Sequence, residues 1–505
     1  MRRFLASTLF APTLVLADAG ISDTALKADN EKVCGYYDDD CEVELLQKKI
    51  RRKATGSGSP SHGSGTVWGM EHLEELHDAS ITPSDYMKQW CPLEKMIEQT
   101  ASMTLSEYKA ISDQFKSVLD GVNTECEGEV CPAADVAGCW VRMAGHDFMD
   151  WVYITGEGGA DGCVTFDDPD NGGLKECLAE GDNGVSIGMV YKDWCETVSL
   201  ADMIVIAAEA AMEWTRDQHI AYYADASPFL PGAEYKNSKP IDFSPNFKFG
   251  RKTKFNANDG KGEKCVGRMK QLPHPHGCDQ VERTFMGYAQ LTPRETVAIS
   301  AVHTLGRADA RFSGFAGTWS ADMKDAMMFN NRYFVLMLSD GWMVDEEMKA
   351  KGKIQWKVSS VAQPFNSAKQ MMLSTDLCLL YGVGTAETKG HEPPYVPLSD
   401  EHTNVCAWGD PNSGKVDGRD IFGKYYNNMI CGSSDLPSGR ARDQKEGCCD
   451  GSRKPMDASH PGDIHGGLSS GDVLDYANDD NMLIDDFLLV WDKLTGKGAS
   501  LTPLS

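Results

Sequence analysis

A mainly α-helical fold is predicted by three observations. Runs with helical spacing are frequent, and convincing alternating strand patterns are few. Capping signals stand at the starts of two of the runs. Of the 505 residues, 41% are hydrophobic, enough for a large core and unlike a disordered chain.

Taken in order, residues 1–19 read as a secretory signal. Arg2-Arg3 are basic, Phe4 to Leu16 is mostly apolar, and Ala17-Asp18-Ala19 is a small-x-small cleavage site. A buried N-terminal helix is the plainer alternative. The apolar run is too short to span a bilayer, and no other candidate span occurs. Residues 20–66 form an extension. It holds an acidic stretch (Asp38 to Glu44), a basic run (Lys48 to Lys53) that is either a processing site or simply solvated, and a Gly/Ser-rich linker from Thr55 to Thr66.

The main domain is read at 67–381. Helices are expected over Pro92 to Met103, Ala133 to Met149, Leu200 to Trp214 and Pro293 to Leu305. Ser199 and Asp202 are placed as a capping box for the third. Thr292 and Glu295 are placed so for the fourth, which also has Pro293 at its first position and Gly306 as a stop. Residues 382–474 are rich in Gly, Pro and Cys with little periodicity, and read as a disulfide-stapled insertion. Residues 475–505 resume the domain, with a last helix from Asn481 to Leu494.

Sixteen cysteines agree with an oxidising compartment, hence with secretion or another destination on the secretory route. Cys126 and Cys131 are close enough to pair, and so are Cys265 and Cys278; the adjacent Cys448 and Cys449 would pair elsewhere. Connectivity does not follow from sequence. No paired CxxC units point to zinc. His72 and His77 are five apart and would not share a helical face, and the partial calcium loop at Asp410 has Lys415 where glycine is needed. A net charge of −26 repels nucleic acid and anionic lipid and would draw cationic partners inward.

Arg142 and His146 are four apart, so on a helix they share a face. His303 lies on an apolar face of the Pro293 helix. Alone, each is more simply a surface pair or a satisfied core histidine. Two such helices could clamp a flat macrocycle, with a neutral imidazole on one side and a base plus a cation on the other.

At this point the sequence resembles the plant-type haem peroxidase superfamily, nearest the class of cytochrome c peroxidase and ascorbate peroxidase. The resemblance is carried by Arg142-Met143-Ala144-Gly145-His146, by Thr296 to Gly306 around His303, and by Ser313 to Trp319. It is carried also by Met371 to Asp376, Asp168 to Leu174, Val198 to Asp202 and Tyr476 to Asp479, all in family order. It implies a two-lobed haem peroxidase fold that uses hydrogen peroxide and an unidentified reductant. With no CxxCH in the chain, haem b would be held non-covalently.

The roles it implies are these. His303 ligates iron, and Arg307 and Ser313 contact the haem. Asp376 accepts the other ring N–H of His303. Trp319 is an oxidation site, with a plain core indole as its alternative. His146 moves the peroxide proton, Arg142 stabilises developing charge and Asn171 holds the His146 ring. Thr304, Ser320, Asp322 and Asn330 resemble a monovalent cation site. Two departures stand out. Gly145 replaces a bulky ring, leaving a gap and speaking against strong catalase activity. Phe312 replaces an arginine of ascorbate-using members, which speaks against ascorbate as donor. An alternative function is a haem-binding or extracellular matrix interaction protein with a degenerate peroxidase site.

Overall fold

The structure is a computed structural model. Its described residues are 76–78, most of 81–380 and 468–505, with two-residue strands between 383 and 420. The expected signal, extension and linker, Cys278, Cys448-Cys449 and most of the 382–474 insertion lie outside them. The described residues belong to a unit running from Trp68 to Ser505.

Helices dominate. In chain order they are α1 (Pro83–Met87), α2 (Leu105–Asp120), α3 (Pro132–Phe148), α4 (Gly188–Trp194), α5 (Leu200–Tyr223) and α6 (Pro293–Ser300). Then follow α7 (Arg332–Ser339), α8 (Glu346–Ala350), α9 (Ser374–Leu377), α10 (Ser470–Asn478) and α11 (Asp480–Thr495). Strands are short. Trp342–Val344 and Trp356–Val358 pair antiparallel, flanked by Asn404–Val405 and Met371–Met372. Among the described residues no helix is long and apolar enough to cross a membrane.

The core is built on α5. Every residue from Leu200 to Arg216 is buried: the stretch is mostly Ala, Ile and Met, and its Asp202, Glu209 and Arg216 find partners inside the core. α3 packs along one side of it and α2 along another. Tyr108 reaches Glu209 and, one turn on, Ser112 reaches Glu213, so α2 and α5 run parallel in register. Thr104 caps α2 in a full capping box with Glu107.

Three expectations about the helices need correction. Residues 92–103 are not a helix: after one turn on Pro92 O, Ile97 N–H donates to Cys195 O and Glu98 O accepts from Thr253 N–H. These long-range partners, with the Cys91–Cys195 disulfide, hold the segment extended. The Ser199 cap is half a capping box. Ser199 Oγ accepts from Asp202 N–H, but the Asp202 carboxylate turns away to Gly250 N–H and Arg251. The α-helix expected through Leu305 stops at Ser300 and tightens into a 3₁₀ turn at Ala301–Thr304. Thr292 and Glu295 do form the capping box.

Cys126 pairs with Cys131 as expected. Cys265 pairs with Cys163, not Cys278, and Cys139 pairs with Cys177. Short separation in sequence lost to proximity in space.

Candidate active site

α3 and the 3₁₀ turn after α6 face each other across a cavity of about 360 Å³, within the range of cofactor sites. Their approach is set by two glycines. A Cβ on Gly138 would lie 2.8 Å from Gly306 Cα, and Gly306 has a φ of +72° that favours glycine. Gly306 is thus both the helix stop and the contact point.

On one wall is His303. Its Nδ1 meets Asp376 Oδ1 at 2.7 Å. The same carboxylate accepts Trp319 Nε1 at 2.7 Å, Tyr333 OH at 2.8 Å and Leu373 N–H at 2.6 Å. Because Asp376 is acceptor only, Nδ1 of His303 carries the proton, and Nε2 keeps its lone pair toward the cavity. Burial pushes Asp376 up, but His303 and these donors outweigh it and hold the carboxyl below its ordinary value. Burial and the Asp376 charge push the Tyr333 hydroxyl well up, so it stays a donor. Trp319 stacks on His303, ring centres 4.5 Å apart.

On the other wall, Arg142 and His146 share a face of α3. Asn171 Oδ1 meets His146 Nδ1 at 2.7 Å, and Asn171 Nδ2 donates to Thr165 O at 2.8 Å. The second bond fixes the amide, so its oxygen faces the histidine. Nδ1 therefore bears the proton and Nε2 is the basic nitrogen, accepting from Arg142 Nε at 3.3 Å. The rest of the guanidinium donates to Asp170 O and Gly172 O at 2.7 and 2.8 Å. Burial, then the Arg142 cation, hold His146 well below its ordinary value, so the ring is neutral. Burial lowers Arg142 to about 10, and it remains a cation at neutral pH.

The remaining expected residues are placed as follows. Arg307 lines the cavity with its guanidinium on Asp135, at 2.8 Å from Nε. Ser313 lines it too, its hydroxyl accepting from Phe315 N–H. Thr304, Ser320 and Asn330 are buried together: Ser320 Oγ donates to Thr304 O at 2.6 Å, and Thr304 Oγ1 to Asn330 Oδ1 at 3.4 Å. Asp322 is exposed instead, its carboxylate accepting from Asp325 N–H. Gly145 faces the cavity, and a Cβ there would meet only Met149 Cε, at 3.8 Å. Phe312 also lines the cavity and packs on the loop after Asn171, where a Cβ on Gly173 would fall 2.7 Å from its ring.

Sequence reasoning missed Tyr333 and Leu373 N–H as partners of Asp376, and Thr165 O as the anchor of Asn171. No linear signal marks them.

The residues present fit haem. His303 Nε2 has no hydrogen-bond partner among the described residues, and apolar side chains such as Val141, Val302 and Phe315 line the space it faces. The fold and site thus define a class: a helical protein that holds a flat, metal-centred cofactor between two helices. Comparison agrees. The sequence model of the peroxidase family matches residues 122–389, more than half of the chain. The peroxisomal L-ascorbate peroxidase 5 of Arabidopsis thaliana is 30% identical over 39% of this chain, and the match spans 56% of that protein's length. A putative heme-binding peroxidase of Candida albicans is 25% identical over 54% of this chain and 76% of its own. The mitochondrial cytochrome c peroxidase of Emericella nidulans is 24% identical over 56% and 67%. The chain belongs to the peroxidase family, within the plant-type superfamily.

Proposed function

We propose that the chain is a haem-dependent peroxidase that reduces hydrogen peroxide with electrons from a separate reductant. The observation that carries this reading is the pair of opposed walls: a carboxylate-braced imidazole lone pair facing a neutral histidine base with a fixed guanidinium. Haem b held between them would supply an iron that binds peroxide and takes up its oxidising equivalents.

The chain's own residues do the rest. His303 Nε2 would hold the iron, and Asp376 keeps the ring oriented and electron-rich. His146 Nε2 takes a proton from peroxide and returns one to the departing oxygen. Asn171 keeps that nitrogen aimed, and Arg142 stabilises the negative charge that develops. Arg307 and Ser313 would meet the polar edge of the group. The donor is not ascorbate in this reading, because Phe312 puts an apolar ring where ascorbate-using members have a cation. A monovalent cation is proposed for Thr304, Ser320 and Asn330 only. Addition of potassium should raise the melting temperature, and no response sinks it. The disulfides support an oxidising destination reached by secretion.

The test is stopped-flow mixing of haem-loaded protein with peroxide. His146→Ala should take up haem but react more slowly by at least about 10², the lower end for positioned proton transfer. A rate within a few-fold of the parent overturns the assignment. A haem-binding or matrix-interaction protein would show haem uptake with no fast reaction in the parent.

A further inference from the structure

Glu209 lies in the middle of α5 at 2% exposure, and the chemistry above does not use it. Its Oε1 accepts the indole N–H of Trp491 at 2.9 Å, and its Oε2 accepts the hydroxyl of Tyr108 at 2.8 Å. Trp491, on α11, is 1% exposed and lines the cavity beside Phe148, whose ring meets it edge-on at 5.6 Å. Tyr108, on α2, packs against Phe247 and is not among the residues that line the cavity. One buried carboxylate therefore bridges two oxidisable side chains, one at the cavity wall and one in an outer helix.

Burying an acid is costly, and two aromatic rings could pack without it. Burial raises Glu209 to about 8, with the Tyr108 hydroxyl, Arg251 and the Trp491 N–H pulling the other way. Both its oxygens accept, so the relay runs in the ionised form, which prevails above about pH 8, and a group poised there accepts and returns a proton at little cost.

We propose that Trp491, Glu209 and Tyr108 form a relay that draws one oxidising equivalent from the cavity into the protein. The inference rests on the peroxidase reading, since the oxidant is the haem group after its reaction with peroxide. Trp491 gives that oxidant one electron and passes its N–H proton to Glu209 Oε1, leaving a neutral indolyl radical. Tyr108 then gives one electron to the radical and its O–H proton to Oε2, while the proton on Oε1 returns to the indole. The net change is one electron delivered to the haem, a tyrosyl radical at residue 108 and a protonated Glu209. The relay would hold the equivalent away from the haem until a reductant arrives.

The test uses the full haem-loaded chain, with ring-deuterated tyrosine in a parallel sample. Each is mixed with hydrogen peroxide above about pH 8, where Glu209 is ionised, without reductant, then frozen and read by EPR. The parent should give a radical signal that narrows on tyrosine deuteration and is lost in Tyr108→Phe. In Glu209→Gln, which keeps size and hydrogen bonding but cannot take the proton, it should build at least about 10² more slowly. There Trp491 can still give up its electron and keep its N–H as an indole radical cation, but Tyr108 has no acceptor for its proton, so the equivalent stops at Trp491 and peptide mass spectrometry should find more added oxygen on that residue than in the parent. Should Tyr108→Phe fail to fold, Glu209→Gln carries the test on both readouts. If haem is bound and peroxide reacts but the tyrosyl signal is absent, or persists in both variants, the relay is wrong and the peroxidase reading stands. No haem uptake, or no reaction with peroxide, overturns both.

Discussion

At the scale of residues, each histidine of the site has its tautomer set by one neighbour that can only accept. Asp376 does this for His303. Asn171 does it for His146, because its own amide is tied to Thr165 O. The consequence is a pH dependence. His146 titrates well below the ordinary 6.5, through burial first and the Arg142 cation second. The base is the neutral form, which is present above the folded value. The rate of reaction with peroxide should therefore stay flat as pH falls through about 6.5, the ordinary histidine value, and decline only at lower pH. An inflection at the ordinary value would show that the ring is not held as described. The Arg/His spacing and the His303 segment were legible in the sequence, because a helix puts positions four apart on one face. Tyr333 was not, because it meets Asp376 across 43 residues with no repeating pattern between them.

At the scale of elements, α3 carries two glycines with opposite consequences. Gly145 faces open space, so Gly145→Ala should stabilise the chain by up to about 1 kcal/mol through helix propensity alone. Gly138 lies against the backbone of Gly306, which cannot yield as a side chain could. Gly138→Ala should cost about 1–3 kcal/mol, typical of overpacking, and should weaken haem uptake by forcing the two walls apart. Urea unfolding of both variants, with haem titration of the second, checks the pair. Equal and small effects would mean that the Gly138–Gly306 approach does not set the cavity. The helix carrying His303 shows how far local signals reach. Its start followed the Thr292–Glu295 box, whereas its tightened last turn answers to Gly306 and the packing beyond it.

At the scale of the whole molecule, long-range disulfides close large loops. Cys91–Cys195 and Cys163–Cys265 span 104 and 102 residues. The second lies in the segment that anchors the site, since Gly162 and Cys163 N–H hold Asp147, the neighbour of His146, at 2.9 and 3.0 Å. Replacing both Cys163 and Cys265 with serine should lower stability by roughly 2–5 kcal/mol, the usual range for a native disulfide. The same double variant should also slow the reaction with peroxide. Thermal melts and stopped-flow mixing would check this, and an unchanged melt would show that the rest of the core already holds the segment.

By itself the sequence determined what acts over a few residues or repeats along the chain. That covers the mainly helical class, the single capping box at Thr292, and where α3 begins. It covers also the His146 and Arg142 face and the ordered motifs that mark the peroxidase family. Only the tertiary structure decided that residues 92–103 are not helical and that Cys163, not Cys278, takes Cys265. It alone decided that Asp322 turns to solvent and that Glu209 joins Tyr108 to Trp491. Each of these depends on which distant segments meet. A residue's local preferences are worth a few tenths of a kcal/mol to about one, and a single buried hydrogen bond or packed contact between distant segments matches or exceeds that.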